Sequence, residues 1–387
     1  MNNETKRDWR LSPMRVNTFN CRMVLFYLLT KIRCRSVVFV RVHDLFSVTL
    51  ELCRSYKRLR TCMAFCKRNG YNATLVKAIS NSFKYGMSLY DYYQFRLYER
   101  NSKEGVYWLS NRLRMFIDMS MNDIKYINVS RDKYESYKLL KEFFKRNMQE
   151  LSSQQDVDRI LDQNWGTAIV CKPRFGTWGH LNKFMDTSLS SKMLRANLIE
   201  MVKNGPWVVE SYIQQHPLMK QLHPLSVNTL RAHTIFHNGK VHFLGAVLRI
   251  GVGKKVDNLY AGGIAAPIDD ATGIVSGPAV SGNPFQTNTY DKHPITGEPI
   301  VGMQIPYWSE ILQMVEQMGS KISELKSIGW DIAITEEGPV LVEMNVHWSV
   351  EPFQLPFQKG RLNKLLPFIN QSVLYPAHRK YLSGINI

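Results

Sequence analysis

The residues best suited to chemistry lie in Gly329–Asn345, a segment that predicts two strands joined by a Gly-Pro turn. This pairing places Asp331 against Glu343 and Asn345 near the same end of the ladder. Glu343 and Asn345 are two residues apart, so their side chains share one face of their strand. Three oxygen ligands on one face suit Mg²⁺, which binds nucleotide phosphates through its remaining positions. Because buried unpaired carboxylates are costly, a bound cation accounts for them better than a plain apolar strand does.

Two earlier segments contain groups that could contact a nucleotide. In Val170–Gly179, a predicted strand carries Lys172 at its end and runs into a glycine-containing turn. A lysine placed there can reach phosphate oxygens, and a glycine-bearing loop lets backbone N–H groups approach them. In Trp207–Ile213, an apolar strand meets Glu210, whose carboxylate suits an adenine amine or a ribose hydroxyl. Taken alone, each segment is better explained by an ordinary turn or an exposed edge strand.

The order of these features resembles the ATP-grasp superfamily over roughly residues 125 to 370. Three segments are similar to its sugar-transfer-associated branch: Ser226–Arg231, Asp257–Ala266 and Gly329–Thr335. The similarity to the branch extends back to Asp91–Tyr98, whereas positions 1–80 resemble no family that we recognise. The resemblance implies a mixed α/β fold, with two α+β subdomains clasping ATP between antiparallel sheets.

The resemblance also assigns roles by position. It implies that Lys133 and Lys172 bind phosphate and that Gly176, Thr177 and Gly179 belong to a loop that closes over the nucleotide. Glu210, Tyr212 and Ile213 match the hinge that receives adenine. Arg231 and Arg249 match the cations that face the transferred phosphoryl group or the carboxylate. Asp331, Glu343 and Asn345 match the Mg²⁺ ligands.

This chain departs from the branch after the strand that carries Glu343 and Asn345. The family commonly follows its Glu-x-Asn with a small turn containing Gly or Pro, whereas this chain has Val346–Ser349. The shape of the acceptor pocket is therefore left open. His216 and His347 are candidate bases near the acceptor, although a packed or hydrogen-bonded structural histidine explains each of them better.

Periodicity places the elements that must position these residues. Helices are expected over residues 14–80, 106–119, 131–148, 188–202 and 309–325. Strands are expected over residues 125–129, 165–172, 207–213, 230–236, 240–249, 328–335 and 340–344. The aromatic residues of Tyr90–Tyr98 are interpreted as core. We expect a basic helical region (1–80), a pre-ATP-grasp segment (81–155), a subdomain with the phosphate loop (156–215) and a subdomain with the metal site (216–387).

Composition restricts the setting. A formal charge of +18, with basic residues concentrated in the first 150 positions, indicates an acidic partner. The six cysteines lack zinc-ligand spacing and are interpreted as reduced structural thiols. Neither a signal peptide nor a membrane-spanning segment is predicted. We therefore expect a cytoplasmic protein, with peripheral contact at an anionic inner membrane face as a further hypothesis for the basic region.

The function these features favour is an ATP- and Mg²⁺-dependent ligase that joins a carboxylate to an amine through an acyl-phosphate. The branch resemblance implies an anionic glycan or a peptide carboxylate as acceptor, an amine donor, and a role in making cell-surface polysaccharide. Two alternatives remain open: a kinase acting on a glycan-related acceptor, and a non-catalytic nucleotide-binding scaffold. Nucleic-acid binding is not expected, because no recognised nucleic-acid module accompanies the charge.

Overall fold

A computed structural model describes residues 37–175 and 182–382. The first part of this range is helical, which confirms the helical prediction for residues 37–80; the part predicted for residues 14–36 lies outside the described residues. The helices are α1 (Val37–Arg68), α2 (Leu75–Tyr85), α3 (Leu89–Gln94), α4 (Ser102–Gly105), α5 (Asn111–Met121), α6 (Ile124–Arg131) and α7 (Lys133–Phe144). Local sequence sets their ends: the Thr74 hydroxyl caps α2, and Ser88 and Asp91 form a capping box on α3.

The aromatic segment before α4 forms core, as predicted. Tyr92, Tyr93 and Phe95 are buried, and the Phe95 ring stacks on Trp108 at 4.9 Å between centroids. The strand predicted over residues 125–129 is wrong, because this stretch is helix α6. Ile127 is buried while Tyr126 beside it is exposed. Three apolar residues in five do not distinguish a strand from a half-buried helical turn.

A small four-stranded antiparallel sheet follows, with strand order β1-β4-β2-β3. Its strands are β1 (Met148–Leu151), β2 (Ala168–Pro173), β3 (Lys183–Asp186) and β4 (Trp207–Ser211), and its helices are α8 (Gln154–Leu161) and α9 (Ser191–Lys203). The two helices pack on each other, and their apolar residues share one buried cluster with the strands. Of these strands, the sequence predicted β2 and β4.

A larger antiparallel sheet of seven strands carries most of the remaining chain, in the order β11-β10-β5-β6-β7-β8-β9. The strands are β5 (Thr229–His237), β6 (Lys240–Ile250), β7 (Ile264–Pro267), β8 (Ala279–Ser281), β9 (Thr289–Tyr290), β10 (Ser327–Thr335) and β11 (Gly338–Asn345). The accompanying helices are α10 (Pro217–Leu222), α11 (Trp308–Lys321), α12 (Val350–Gln354) and α13 (Pro376–Leu382). The β10–β11 hairpin is confirmed, as is the mixed α/β class with a helical N-terminal region.

The register of the large sheet fixes the relative positions of the predicted metal ligands. Asp331 lies opposite Glu343 on one side and opposite Arg231 on the other. The β10–β11 pairing shifts after Asp331, so Val342 is the extra residue of a β-bulge. Among the described residues, no helix combines the length and apolarity needed to cross a bilayer.

The segment after β11 packs on the N-terminal helical region, and we expect Gly360→Ala to destabilise this contact strongly. A Cβ at Gly360 would lie 2.3 Å from the carbonyl carbon of Tyr107 and 2.4 Å from the amide nitrogen of Trp108. Since both obstacles are backbone atoms, the free energy of unfolding should fall by about 1–3 kcal/mol or more. Urea unfolding measures this loss. Gly105→Ala is the matched control, because its Cβ would meet the Tyr85 ring at an ordinary 4.0 Å; an equal loss in both variants would contradict the argument.

Candidate functional site

A cavity of about 260 Å³ lies between the small and the large sheet. Its wall includes the predicted site residues that the structure describes: Lys133, Lys172, Glu210, Tyr212, Ile213, Arg231, Arg249, Asp331, Glu343 and Asn345. These residues come from seven helices and strands and from one loop, spread over more than 200 positions. The remaining three predicted residues, Gly176, Thr177 and Gly179, lie outside the described residues.

Lys133 enters the cavity from the start of α7, which is fixed by its cap. The Asp132 carboxylate accepts hydrogen bonds from the backbone N–H groups of Tyr134 and Glu135, at 3.1 and 3.2 Å. Arg174, just after β2, binds the same carboxylate through Nε and Nη2 at 2.8 to 2.9 Å. The Lys133 ammonium lies 3.7 Å from Glu343, so α7, the end of β2 and β11 meet at one wall of the cavity.

Lys172 and Glu210 lie on neighbouring strands of the small sheet and form an ion pair. Glu210 is buried and also binds Arg146, whose Nη2 lies 2.7 Å from its Oε2. Burial alone would raise the pKa of the Glu210 carboxyl, but the charges of Arg146 and Lys172 lower it below its usual value. Both oxygens of Glu210 are therefore engaged by cations. The predicted contact between this carboxylate and adenine stays a prediction, and the structure adds a second role, holding Lys172.

The two predicted catalytic arginines are buried and bound to carboxylates. Arg231 pairs with Asp331 through Nε and through Nη2, the latter at 3.0 Å. Arg249 lies 3.3 Å from the same carboxylate and 3.3 Å from Asp257, and it donates to the Thr229 hydroxyl at 2.7 Å. Burial would raise the pKa of Asp331, but Arg231 and Arg249 hold it below its usual value. The network therefore carries fixed, largely balanced charges at the cavity wall.

The arrangement at β11 fits Mg²⁺ through two of the three predicted ligands. The Glu343 side chain is 36% exposed, and Asn345 adds an amide oxygen on the same strand face. Asp331 differs, since the arginines bind both of its oxygens and the Asn345 amide donates to it at 3.4 Å. Among the described residues there is no group of three or more His, Cys, Asp and Glu side chains suited to a metal. One carboxylate and one amide still suffice for Mg²⁺ when phosphate oxygens and water complete its shell.

Sequence reasoning missed several residues at the cavity. Val170 on β2 and Val342 on β11 line it from opposite sheets, and Phe184 lies at its edge with the Lys255 ammonium 5.5 Å from the ring centroid. Apolar walls from two sides suit a planar base. The sequence did offer a signal for the two valines, because each lies within two residues of a predicted site residue, Lys172 or Glu343, on an apolar strand. For Lys255 the sequence held no such signal.

The comparison with known families supports the resemblance. Residues 191–370 match the family described as sugar-transfer associated ATP-grasp. The predicted resemblance to ATP-grasp proteins, and to this branch in particular, is thereby confirmed. No curated protein matches the chain.

Solved structures that are similar to the chain include the following three proteins. The ATP-grasp ligase PsnB, complexed with a minimal precursor, is 12% identical, with a TM-score of 0.36 over 68% of this chain and 63% of PsnB. The D-alanyl-alanine synthetase A of Vibrio cholerae O1 biovar eltor str. N16961 is 12% identical, with a TM-score of 0.40 over 68% and 71%. The N5-carboxyaminoimidazole synthetase of Staphylococcus aureus is 10% identical, with a TM-score of 0.36 over 61% and 51%. The chain thus spans less than two thirds of the length of PsnB.

Proposed function

We propose that the protein is an ATP- and Mg²⁺-dependent ligase that joins a carboxylate to an amine through an acyl-phosphate. The observation that carries the proposal is the meeting of Lys133, Lys172 and Glu343 in one cavity between two antiparallel sheets. Lysines match the negative charge of a triphosphate, and Glu343 with Asn345 offers oxygen ligands to the accompanying cation. The match to a family named for ATP-grasp supports the same substrate.

Each group has a role in the proposed reaction. The ammonium groups of Lys133 and Lys172 bind and orient the phosphates, and the apolar wall of Val170 and Val342 receives the base. When bound, Mg²⁺ neutralises charge on the phosphate oxygens. Phosphoryl transfer to a carboxylate oxygen releases ADP, and attack by a neutral amine on the acyl carbon then expels inorganic phosphate. The amine loses one proton as the amide forms, so one ATP is consumed per amide bond.

The substrate class is the finer part of the proposal. The description of the matching family supports an acceptor related to sugar transfer, so we infer an anionic glycan or its precursor, with an amino acid or another amine as donor. The cavity wall carries five cations, Lys133, Lys172, Arg231, Arg249 and Lys255, against four carboxylates. The net positive charge of the wall, together with the two charges that Mg²⁺ would add, offsets much of the negative charge of a triphosphate.

The test is ADP release measured with carboxylates and amines offered separately and together. Uronate-containing oligosaccharides and peptides serve as carboxylates, and the amino acids serve as amines. A ligase requires both for turnover and yields one phosphate and one amide per ADP. Turnover with the acceptor alone and a stable phosphorylated product would replace this proposal with a kinase. Absence of nucleotide turnover in every combination would favour a non-catalytic scaffold.

The basic helix α1 supports a further proposal, peripheral contact with an anionic membrane from the cytoplasmic side. Leu45, Phe46 and Tyr56 are more than half exposed on this helix, beside the exposed Lys57 and Arg60. Apolar and basic side chains on one helix favour the interface of an anionic bilayer.

We expect the protein to float with phosphatidylserine vesicles and not with phosphatidylcholine vesicles. Lys57→Glu with Arg60→Glu should weaken binding roughly tenfold or more, at about 1 kcal/mol for each basic charge near the surface. Lys192→Glu with Lys220→Glu, on exposed sites of other helices, is the control with the same change in net charge. Equal weakening by both pairs would show that α1 has no special part in binding.

A further inference from the structure

We propose that Arg146 is the permanent counter-ion of Glu210 and thereby leaves the Lys172 ammonium available to a nucleotide phosphate. The inference rests on the proposed nucleotide site and adds a positioning residue to it. Arg146 lies in the loop between α7 and β1, 64 positions before Glu210, and no sequence motif marks it.

The contacts of Glu210 divide between its two oxygens. Its Oε2 accepts from Arg146 Nε at 3.1 Å and from Nη2 at 2.7 Å, whereas Oε1 pairs with Lys172. The Arg146 side chain is 6% exposed and is not among the residues that line the cavity. The Lys172 side chain is 15% exposed and does line it. One cation is therefore enclosed with the carboxylate, and the other can contact a ligand.

Arg146 is held in place by backbone carbonyl groups as well. Its Nη1 donates to Phe144 at 3.2 Å and to Leu341, and its Nη2 lies 3.4 Å from the carbonyl oxygen of Val342. The last two carbonyls belong to β11, an edge strand whose bulge residue is Val342. Arg146 thus joins the small sheet, through Glu210, to the strand that carries Glu343.

The charge balance explains why the second cation matters. Glu210 is 2% exposed, so it requires a neighbouring positive charge to remain ionised. If Lys172 were its one counter-ion, a phosphate could bind Lys172 only at the expense of that buried pair. With Arg146 in place, the charge of Glu210 stays neutralised when the Lys172 ammonium donates a hydrogen bond to the phosphate. Arg146 and Glu210 together hold Lys172 at the end of β2, and the positive charge of Lys172 is not needed to neutralise Glu210.

The experiment compares the affinity for Mg²⁺·AMP-PNP with that for adenosine, which lacks phosphates. Arg146→Gln should raise the Kd for AMP-PNP by roughly ten- to a hundredfold, the equivalent of one charged hydrogen bond, with little change for adenosine. Adding Glu210→Gln to Arg146→Gln removes the buried anion and should recover most of the lost AMP-PNP affinity relative to adenosine, a ratio that cancels any contact of Glu210 with adenine. Arg146→Lys keeps the charge and should retain part of the affinity. Arg112→Gln breaks another buried pair, with Asp44, and should lower stability without a change in nucleotide affinity.

The outcomes separate this inference from the proposed function. If Lys172→Ala weakens the binding of AMP-PNP no more than that of adenosine, the proposed phosphate site itself is wrong. If Lys172→Ala weakens AMP-PNP but Arg146→Gln does not, the phosphate site stands and the role of Arg146 is overturned. A double variant whose AMP-PNP affinity relative to adenosine stays as low as that of Arg146→Gln would likewise overturn it, since a merely structural role predicts no rescue. Should Arg146→Gln fail to fold, the comparison of Arg146→Lys with the wild type and the double variant decides the question by the same criteria.

Discussion

Glu343→Gln is expected to reduce Mg²⁺-dependent ATP turnover by roughly 10²–10³-fold, the scale of losing one preorganised electrostatic contact in a reaction site. Glu343 is the cavity carboxylate best placed for a cation, because its side chain is 36% exposed and its pair with Lys133 is long, at 3.7 Å. The other three cavity carboxylates, Glu210, Asp257 and Asp331, are buried and paired with arginines. Glutamine keeps the shape and removes the charge. The loss of the charge should appear as a higher Mg²⁺ concentration for half-maximal ADP release, together with a lower kcat.

A matched control lies at the turn of the same hairpin. Glu337→Gln makes the same chemical change at an exposed position outside the cavity, so turnover and Mg²⁺ dependence should match the wild type. Adenosine affinity should be unchanged in both variants, because the change removes a charge and leaves the apolar walls intact. If Glu343→Gln turned over ATP at the wild-type rate with the wild-type Mg²⁺ dependence, Glu343 would have no part in cation binding.

Asp331→Asn is expected to lower the free energy of unfolding by about 3–5 kcal/mol at pH 7, because it leaves Arg231 and Arg249 buried beside an uncharged amide. Burial opposes ionisation of Asp331, yet the two arginines hold its pKa below the ordinary value of 3.8. A carboxylate with a lowered pKa stabilises the fold fully above the unfolded value, and this contribution is lost as the pH falls through the folded pKa. The difference in free energy of unfolding between the wild type and Asp331→Asn should therefore be constant from pH 5 to 7 and should shrink below about pH 4.

Urea unfolding at several pH values measures this dependence. Asp158→Asn provides the control, since Asp158 pairs with Arg195 at 2.6 Å on the surface, with both side chains about half exposed. An exposed pair of this kind contributes about 0–1 kcal/mol. If Asp331→Asn lowered the free energy of unfolding no more than Asp158→Asn does, Asp331 would not be neutralising the charges of the two arginines. The carboxylate would then be available as a metal ligand.

Much of the site could be predicted because its residues are marked by local patterns. Lys172 ends an apolar strand, and Asp331 and Glu343 lie on two strands joined by a short turn, so adjacent sequence predicts that these strands pair. The turn alone would place Asp331 opposite Val342, and the bulge at Val342 shifts the pairing to Glu343. The same reasoning gave the wrong structure for residues 125–129. That five-residue stretch contains three apolar residues and forms part of a helix that packs against the core through Ile127. A strand of the same length would fit the same pattern.

The remaining interactions could not be predicted because they depend on strand order. Arg231 binds Asp331 across 100 positions only because β5 lies next to β10, and Arg249 joins them from the following strand. Strand β1, which contributes one edge of the small sheet, is four residues long and carries no alternating pattern. Arg146 lies in the loop before this strand. For these reasons the interpretation of Glu210 as an adenine contact left out both of its cationic partners.

The measurement that tests the central claim most directly is calorimetric titration of the full chain with AMP-PNP, in Mg²⁺ and in EDTA. A nucleotide site between the two sheets predicts binding of one AMP-PNP per chain that weakens when Mg²⁺ is chelated. Lys172→Ala should weaken it further, while the surface variant Lys192→Ala should not. Absence of AMP-PNP binding by the wild-type chain in Mg²⁺ would contradict the claim, whatever the cavity contains.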